Sequence, residues 1–379
     1  MPAAPLRVAY VLSHFHPHAS GAERQALAQG EELVRRGHVV HVVTRHVPGH
    51  QGDEVMRGVL VHRWVMPANA GPMFGLSFVS GVVRALLRLR PEIDLVHTHQ
   101  GLWEAIAAGL ARPLLGKRPT LVQPASSGYY GEADELMRTK GASVLRRLIL
   151  RNTAFAAIST DIERQWRELG VPHAKMHRTV SGVDAERFQP GPSLLEGELP
   201  PRPRVLFTGR LHPQKGLDVL LTAWPEVAAR TRAHLLLLGA GPERDRLRAR
   251  AHELGVEGSI HFRGQVAEPA EYLRAADLFV LPSVAEGMSN SLLEALATGL
   301  PCLASDIGGN RDLIDHDVSG LLVSVHEPAA WTSAMTNLLE DQDKAGRLGR
   351  EARRRVEERY ALPRVMDDYM DLYHRLLGR

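Results

Sequence analysis

Short apolar runs alternate along this chain with longer segments whose apolar residues recur at helical spacing, and the alternation occurs twice. In the first half Arg7 to Leu12, His38 to Thr44, Val59 to Val65, Leu95 to Thr98 and Thr120 to Gln123 read as strands. Ser20 to Arg36, Leu76 to Leu89 and Gly101 to Arg112 read as helices between them. The second half restarts with strands at Arg204 to Gly209, His234 to Gly239, Ser259 to Gly264, Leu278 to Leu281, Pro301 to Ala304 and Gly320 to Val323. Strands alternating with helices at this spacing imply right-handed crossovers and parallel sheets. The stretch from Gln189 to Pro203, rich in proline and glycine, reads as an exposed linker. The expected fold class is α/β, with two doubly wound, parallel-sheet, Rossmann-like domains facing across a cleft, residues 1–188 and 202–359. The last helix, within about 360–379, is able to pack back onto the first domain.

Composition narrows the class. A chain of 379 residues is long enough for two cores, and 44% hydrophobic with 23% charged residues is the balance of a soluble globular protein. A single cysteine, Cys302, excludes an internal disulfide framework and suits a reducing compartment. The apolar run Leu6 to Leu12 is too short for a signal peptide, and no later run reaches membrane-spanning length, so a cytoplasmic protein is expected. A net charge of +3 without interleaved aromatic residues argues against nucleic acid as partner. Five lysines stand against 41 arginines, a skew that speaks of genome composition rather than ligand. One cluster differs: Arg138, Lys140, Arg146, Arg147 and Arg151 flank Val144, Leu145, Leu148, Ile149 and Leu150. It reads either as a basic amphipathic helix on the inner face of an anionic membrane, a peripheral contact, or as a helix that packs its apolar stripe inward; the second is favoured.

The strongest candidate chemistry lies between Asp277 and Pro301. A buried strand ends at Pro282, and a helix begins within Glu286-Gly287-Met288-Ser289-Asn290-Ser291-Leu292-Leu293-Glu294. A loop at the carboxyl end of a strand is where open α/β sheets bind ligands. Amides of Asn290 to Leu293 at the helix start favour a phosphate, and Glu294, one turn further, suits paired ribose hydroxyls. Glu286, before the glycine, reaches groups beyond the phosphates. The bland alternative makes Ser291 and Glu294 a capping box and Glu286 a solvated carboxylate. Gly209-Arg210-Leu211-His212-Pro213-Gln214-Lys215-Gly216 follows the second domain's first strand and carries a guanidinium and an ammonium, the usual partners of a diphosphate.

Metal chemistry is less well supported. Asp315-His316-Asp317 and Asp341-Gln342-Asp343 have the spacing of metal-holding triplets, but the first reads as a turn and the second as a break between helices. His14, His16 and His18 alternate after the first strand without supporting carboxylates.

Gly209 to Gly216, the spacing of Glu286 and Glu294, Gly239-Ala240-Gly241-Pro242-Glu243, and Gly308-Gly309-Asn310-Arg311-Asp312 together resemble the retaining glycosyltransferases of family four, group 1, which have the two-domain GT-B fold. Ser20-Gly21-Ala22-Glu23, His97-Thr98-His99 and Ser181-Gly182-Val183-Asp184 extend the resemblance over essentially the whole chain. It implies transfer of a sugar, with retention and without a metal or other cofactor, from a nucleoside diphosphate sugar to a hydroxyl of a sugar, lipid-linked glycan or polysaccharide. UDP is favoured as the nucleotide, with GDP the alternative. Residue by residue it implies that Arg210 and Lys215, with Gly209 before them, hold the diphosphate, that Glu294 binds ribose, and that Glu286 faces the transferred sugar. Gly287, Met288, Ser289 and Asn290 match the loop on donor hydroxyls, and Ser291 and Leu292 lie nearer the phosphate. Arg263 matches the base site, Gly21 the glycine-rich first loop, and His99 a residue beside the reacting sugar, while His97 reads as structural. Three departures bear on the acceptor: Ser20 where a second glycine is usual, Ser181 in place of asparagine, and no histidine in Pro124 to Tyr130.

Other readings remain. A glycosidase-like double displacement makes Glu286 a nucleophile. A pyridoxal-type phosphorylase needs a Schiff-base lysine that no context here supplies, and a dehydrogenase lacks its third glycine after Gly239-Ala240-Gly241. An epimerase on the same fold, or a non-catalytic nucleotide-sugar or glycan-binding protein, is told apart by turnover on an acceptor.

Overall fold

A computed structural model of the chain describes residues 4–17, 20–68 and 72–379; His18 of the alternating histidines lies outside them. The chain forms two compact units, Met1–Gly182 with Leu362–Arg379, and Val183–Ala361.

The first unit is built on eight strands: β1 (Arg7–Val11), β2 (Val39–Arg45), β3 (Asp53–Met56), β4 (Val59–Val65), β5 (Leu95–Thr98), β6 (Thr120–Val122), β7 (Ala154–Ala157) and β8 (Met176–Arg178). Their spatial order is β3-β4-β2-β1-β5-β6-β7-β8, parallel throughout except for β3 against β4. Strands β1 and β5 are buried along nearly their whole length, as parallel strands covered on both faces require. Three strands were not legible in the apolar pattern: β3 is a short polar edge, and β7 and β8 have only a few residues each.

The helix Leu362–Leu377 belongs to this unit. Its Val365, Met366, Tyr369, Leu372 and Tyr373 join the buried cluster that contains Val8, Tyr10, Ala26 and Leu33. Arg36, the C-cap of the helix Gly21–Arg35, fastens its outer side, pairing with Asp367 at 2.7 Å and donating to the carbonyl of Pro363 at 2.7 Å.

The second unit carries β9 (Arg204–Thr208), β10 (His234–Leu238), β11 (Ile260–Gly264), β12 (Leu278–Leu281), β13 (Cys302–Ser305) and β14 (Leu321–Val323), all parallel, in the order β11-β10-β9-β12-β13-β14. Residues 183–188, expected in the first domain, fold with this unit. Val183 donates to the carbonyl of Tyr360 at 2.8 Å, and Arg353 Nη1 donates to the carbonyls of Ala185 and Phe188 at 2.8 and 2.7 Å. The proline-rich stretch expected as a linker is pinned to the same unit: Ser193 Oγ donates to the carbonyl of Glu271 at 2.8 Å, and the amide of Leu194 to its carboxylate at 2.8 Å.

In each sheet the chain fills one side and then the other, so β1 and β5, and likewise β9 and β12, flank a reversal of strand order. Beyond the carboxyl ends of such strands the flanking helices diverge and leave a crevice for a ligand.

Candidate active site

In the second unit the loops after β9 and β12 are stitched together. Gln214 Nε2 donates to the carbonyl of Ala285 at 2.9 Å, and the amide of Val284 to the carbonyl of Gln214 at 2.9 Å. Gly216 makes the approach possible: its φ is +60°, and a Cβ there would lie 2.1 Å from the carbonyl oxygen of Pro282. The result is an ion pair between Lys215 Nζ and Glu286 Oε1 at 2.5 Å, with Ser283 Oγ donating to the same carboxylate oxygen at 2.6 Å. Glu286 is therefore a buried, partnered group and not the solvated carboxylate of the bland reading. Arg210 lies exposed in the same β9 loop and makes no ion pair among the described residues. Gly209, at the end of β9, has its amide bonded to the carbonyl of Leu238 at 2.9 Å.

Support for Glu286 comes from residues the sequence did not single out. Ser283 is fully buried, its carbonyl accepts from Ser305 Oγ, and Asn310 Nδ2 donates to the carbonyl and hydroxyl of Ser305 at 2.9 and 3.1 Å. Asn310 stands within the Gly-Gly-Asn-Arg match, which was the available signal; Ser283 had none. Gly309 brings that segment against the donor loop, for a Cβ there would fall 2.5 Å from the carbonyl oxygen of Gly287.

The helix after the loop runs Asn290–Ala297, with Ser289 as its N-cap in an extended conformation. Ser289 Oγ accepts from the amide of Leu292 at 3.4 Å, and its carbonyl from Leu293 at 3.0 Å. Ser291 and Glu294 therefore do not form the capping box of the bland alternative, and the amides of Leu292 and Leu293, two of the four expected to favour a phosphate, are engaged within the helix start. Gly287, Met288, Ser291 and Leu292 are buried, Asn290 is half-buried, and Glu294 is 9% exposed one turn in. Arg263 lies on the edge strand β11, separated from β9 by β10, and is not joined to Lys215 and Glu286 by any bond. It lines a cavity of about 330 Å³ with Arg248, Glu257, His261 and Phe262.

The acidic triplets have structural work. Asp317 pairs with Lys344 at 2.7 Å, Asp315 pairs with Arg355, and Asp341 caps the helix Gln342–Arg359 by accepting from the amide of Lys344 at 2.9 Å. His14 meets Arg45 at 3.0 Å, and His16 is held below its ordinary pKa by burial and nearby arginines.

The first unit holds different chemistry at its reversal point. His97 and His99 are buried at the end of β5, with ring centroids 4.3 Å apart. Burial lowers the pKa of His97 to about 3 and that of His99 well below its ordinary value, so both rings are neutral near pH 7. Gly21 is the first residue of the helix Gly21–Arg35, where Glu23 closes a capping box by accepting from the amide of Ser20 at 2.7 Å. The Ser20 amide is thereby used internally. Two buried carboxyls escaped sequence reasoning because each is an isolated glutamate at a helix start. Glu104 bonds Ser13, and burial pushes its pKa up to about 7. Glu132 accepts from the amides of Ala125 and Ser126 at 2.8 and 2.9 Å and so fixes the loop after β6.

The basic stretch is two helices, Glu132–Arg138 and Ala142–Ile149, broken at Gly141 with φ +81°. Its apolar stripe does not wholly turn inward as favoured: Ile149 is buried and Leu145, Leu148 and Leu150 are half-buried, but Val144 is 60% exposed, as is Met137, at 59%, in the preceding helix. Among the described residues no helix is long and apolar enough to cross a membrane.

Residues 19–187 match the Glycosyltransferase Family 4 domain and residues 202–341 the Glycosyl transferases group 1 domain. Over 91% of this chain and 84% of the relative, the sequence is 32% identical to a D-inositol 3-phosphate glycosyltransferase of Nocardia farcinica. It is also 32% identical, over 67% of this chain and 70% of the relative, to a GDP-mannose-dependent alpha-(1-6)-phosphatidylinositol monomannoside mannosyltransferase of Mycobacterium tuberculosis. Among solved structures, Anabaena HepE in complex with UDP superposes with a TM-score of 0.79 at 20% identity, covering 97% of this chain and 99% of that one.

Proposed function

Because the chain belongs to the family 4, group 1 glycosyltransferases and has the GT-B fold, we propose that it moves a sugar, with retention of anomeric configuration, from a nucleoside diphosphate sugar to a hydroxyl of a sugar, lipid-linked glycan or polysaccharide. The observation that carries the donor half of this reading is the Lys215–Glu286 pair at 2.5 Å, a half-buried ammonium on a buried carboxylate, formed by the loops at the strand-order reversal of the second unit.

In this reading the Lys215 ammonium and the Arg210 guanidinium take the diphosphate, with Ser291 at the helix start nearby, and Glu294 accepts from the ribose hydroxyls. Glu286 exchanges part of its contact with Lys215 for hydroxyls of the transferred sugar. The bond from the anomeric carbon to the phosphate oxygen breaks with its electron pair on the phosphate. The acceptor oxygen bonds to that carbon from the same face, and its proton passes to the departing phosphate oxygen. Negative charge grows on the diphosphate, and fixed cations stabilise that change more than the ground state, which is the catalytic requirement. The two cations thereby serve the charge that a divalent metal serves in other transferases. His99, neutral, offers a hydrogen bond to the sugar without adding charge.

UDP is the favoured nucleotide, and the complex of HepE with UDP supports it; the GDP-mannose dependence of the mycobacterial relative supports GDP as the alternative. The relatives named for D-inositol 3-phosphate and phosphatidylinositol monomannoside support a polyol or lipid-linked acceptor. Calorimetric titration with UDP, GDP and their sugars tests the donor site: one nucleotide binds, and Glu294→Ala weakens it at least about tenfold. Absence of binding by the folded protein points instead to a protein outside nucleotide-sugar chemistry. Exposed Val144 and Met137 among Arg138, Lys140, Arg146, Arg147 and Arg151 support docking to an anionic membrane face. Salt-sensitive co-sedimentation with anionic vesicles is expected, and none at low salt overturns it.

A further inference from the structure

The rings at the end of β5 are arranged as a relay of orientation. Residues 97 and 99 point to one side of the strand, and Tyr10 stands beside His97 in the register of β1 against β5. His99 is packed between two rings: the centroid of His97 is 4.3 Å away at 29°, and that of Tyr10 is 4.4 Å away at 68°. Neither ring nitrogen of His99 has a hydrogen-bond partner among the described residues, although the side chain is only 1% exposed. Its orientation is therefore set by what holds its neighbours. Tyr10 holds it by ring packing, and the Tyr10 hydroxyl interacts in turn with that of Tyr373. The hydrogen bond that His97 makes runs to the last helix: Nδ1 lies 2.8 Å from the hydroxyl of Tyr373, a fully buried residue of the helix Leu362–Leu377, and Gln123 also acts on the ring. Burial keeps that phenol protonated, so the bond persists across the working pH range.

We propose that Tyr373 is a positioning residue for transfer, acting through His97 to fix the ring of His99 against the reacting sugar. The proposal rests on the reading that puts His99 at the sugar, and it assigns the last helix of the chain a part in turnover beyond covering the first sheet. A hydroxyl in reach of Nδ1 selects the tautomer and the rotation of His97. The stacked ring of His99, with no bond of its own, follows. Misplacing a group that contacts the transition state costs rate and leaves substrate affinity nearly unchanged.

The test is Tyr373→Phe, which keeps the ring and removes the anchor, together with His97→Phe and the double variant, measured on the full chain. Expected is a fall in kcat of about tenfold with each KM within about twofold, and a double variant no worse than the more impaired single one, because both break the same link. Histidine labelled with nitrogen-15 should show the His99 ring signals displaced in Tyr373→Phe, independently of turnover. Nucleotide affinity and melting temperature report folding; if Tyr373→Phe does not fold, His97→Phe tests the link from its other end. Unchanged kcat and unchanged His99 signals in a folded Tyr373→Phe, with His99→Ala inactive, overturn the positioning role. A fully active His99→Ala instead overturns the place given to His99 in the reaction.

Discussion

At the strand ends beside β9 and β12 a half-buried ammonium is bonded to a buried carboxylate that Ser283 backs. At the strand ends beside β1 and β5 the buried polar groups are two neutral imidazoles, three phenol rings and a carboxyl tied to a serine. Two sheets with the same kind of strand-order reversal thus bury opposite chemistry. The difference follows from cost. A charge is tolerated away from water only when paired, and a pair already formed can re-partner with an incoming diphosphate at little further desolvation. Neutral rings give directional hydrogen bonds to hydroxyl groups and leave the local field alone. The charged region is suited to the leaving group, the neutral one to a sugar.

The sharpest way to break this comparison is at Lys215. Lys215→Ala should lower kcat/KM by about a thousandfold, on the order of 4 kcal/mol of transition-state stabilisation. Arg210→Ala, at an exposed cation in the same loop, should cost about ten- to a hundredfold. Lys215→Ala also leaves the Glu286 carboxylate buried without its cation, so part of any loss is instability. Lys215→Ala combined with Glu286→Gln separates the two, since it removes the stranded charge: melting temperature should recover and turnover should not. Equal losses for Lys215→Ala and Arg210→Ala in steady-state assays would mean that the Lys215–Glu286 pair has no special part in the chemistry.

How much of this was readable beforehand depends on the range of the contact. Arg210, Lys215, Glu286 and Glu294 stood out because the loops carrying them have local grammar: strand, glycine, charge, helix. The bond between Lys215 and Glu286 spans 71 residues and exists because β12 pairs with β9, which no local pattern encodes. The position of the helix cap was open for a local reason. Ser289 and Ser291 both stand before the apolar run, and the extended backbone at Ser289, φ −78° and ψ 114°, decides between them. His97 was legible as structural, but its partner Tyr373 lies 276 residues away on a helix that folds back. Glu104 and Ser13 were invisible for the same reason, being 91 residues apart.

A smaller effect, in stability, sharpens the comparison through pH. An unfolded histidine takes up its proton near pH 6.5, whereas buried His97 resists until about 3. Between those values the unfolded state binds more protons, so the contribution of His97 is present above pH 6.5 and is lost as pH falls, up to about 5 kcal/mol in all. His99 acts in the same direction. Glu104 acts oppositely. Its unfolded carboxyl ionises near pH 4.5 and its folded one near 7, so its contribution is complete below 4.5 and is lost as pH rises through 7, up to about 3 kcal/mol. Across pH 4.5 to 6.5 the glutamate offsets one histidine and leaves His99 and His41, which burial also holds low, so the first unit should weaken with acid. Hydrogen exchange of the β1 and β5 amides, set against those of β9 and β12, reads the two units separately. Glu104→Gln should steepen the acid loss in β1 and β5 and raise their protection at pH 8, and His97→Phe should flatten the acid loss. Since the Lys215–Glu286 pair of the second unit contributes no histidine, β9 and β12 should respond to neither substitution. Equal changes in both pairs of strands would mean that acid acts on the whole molecule and not on the rings at the end of β5.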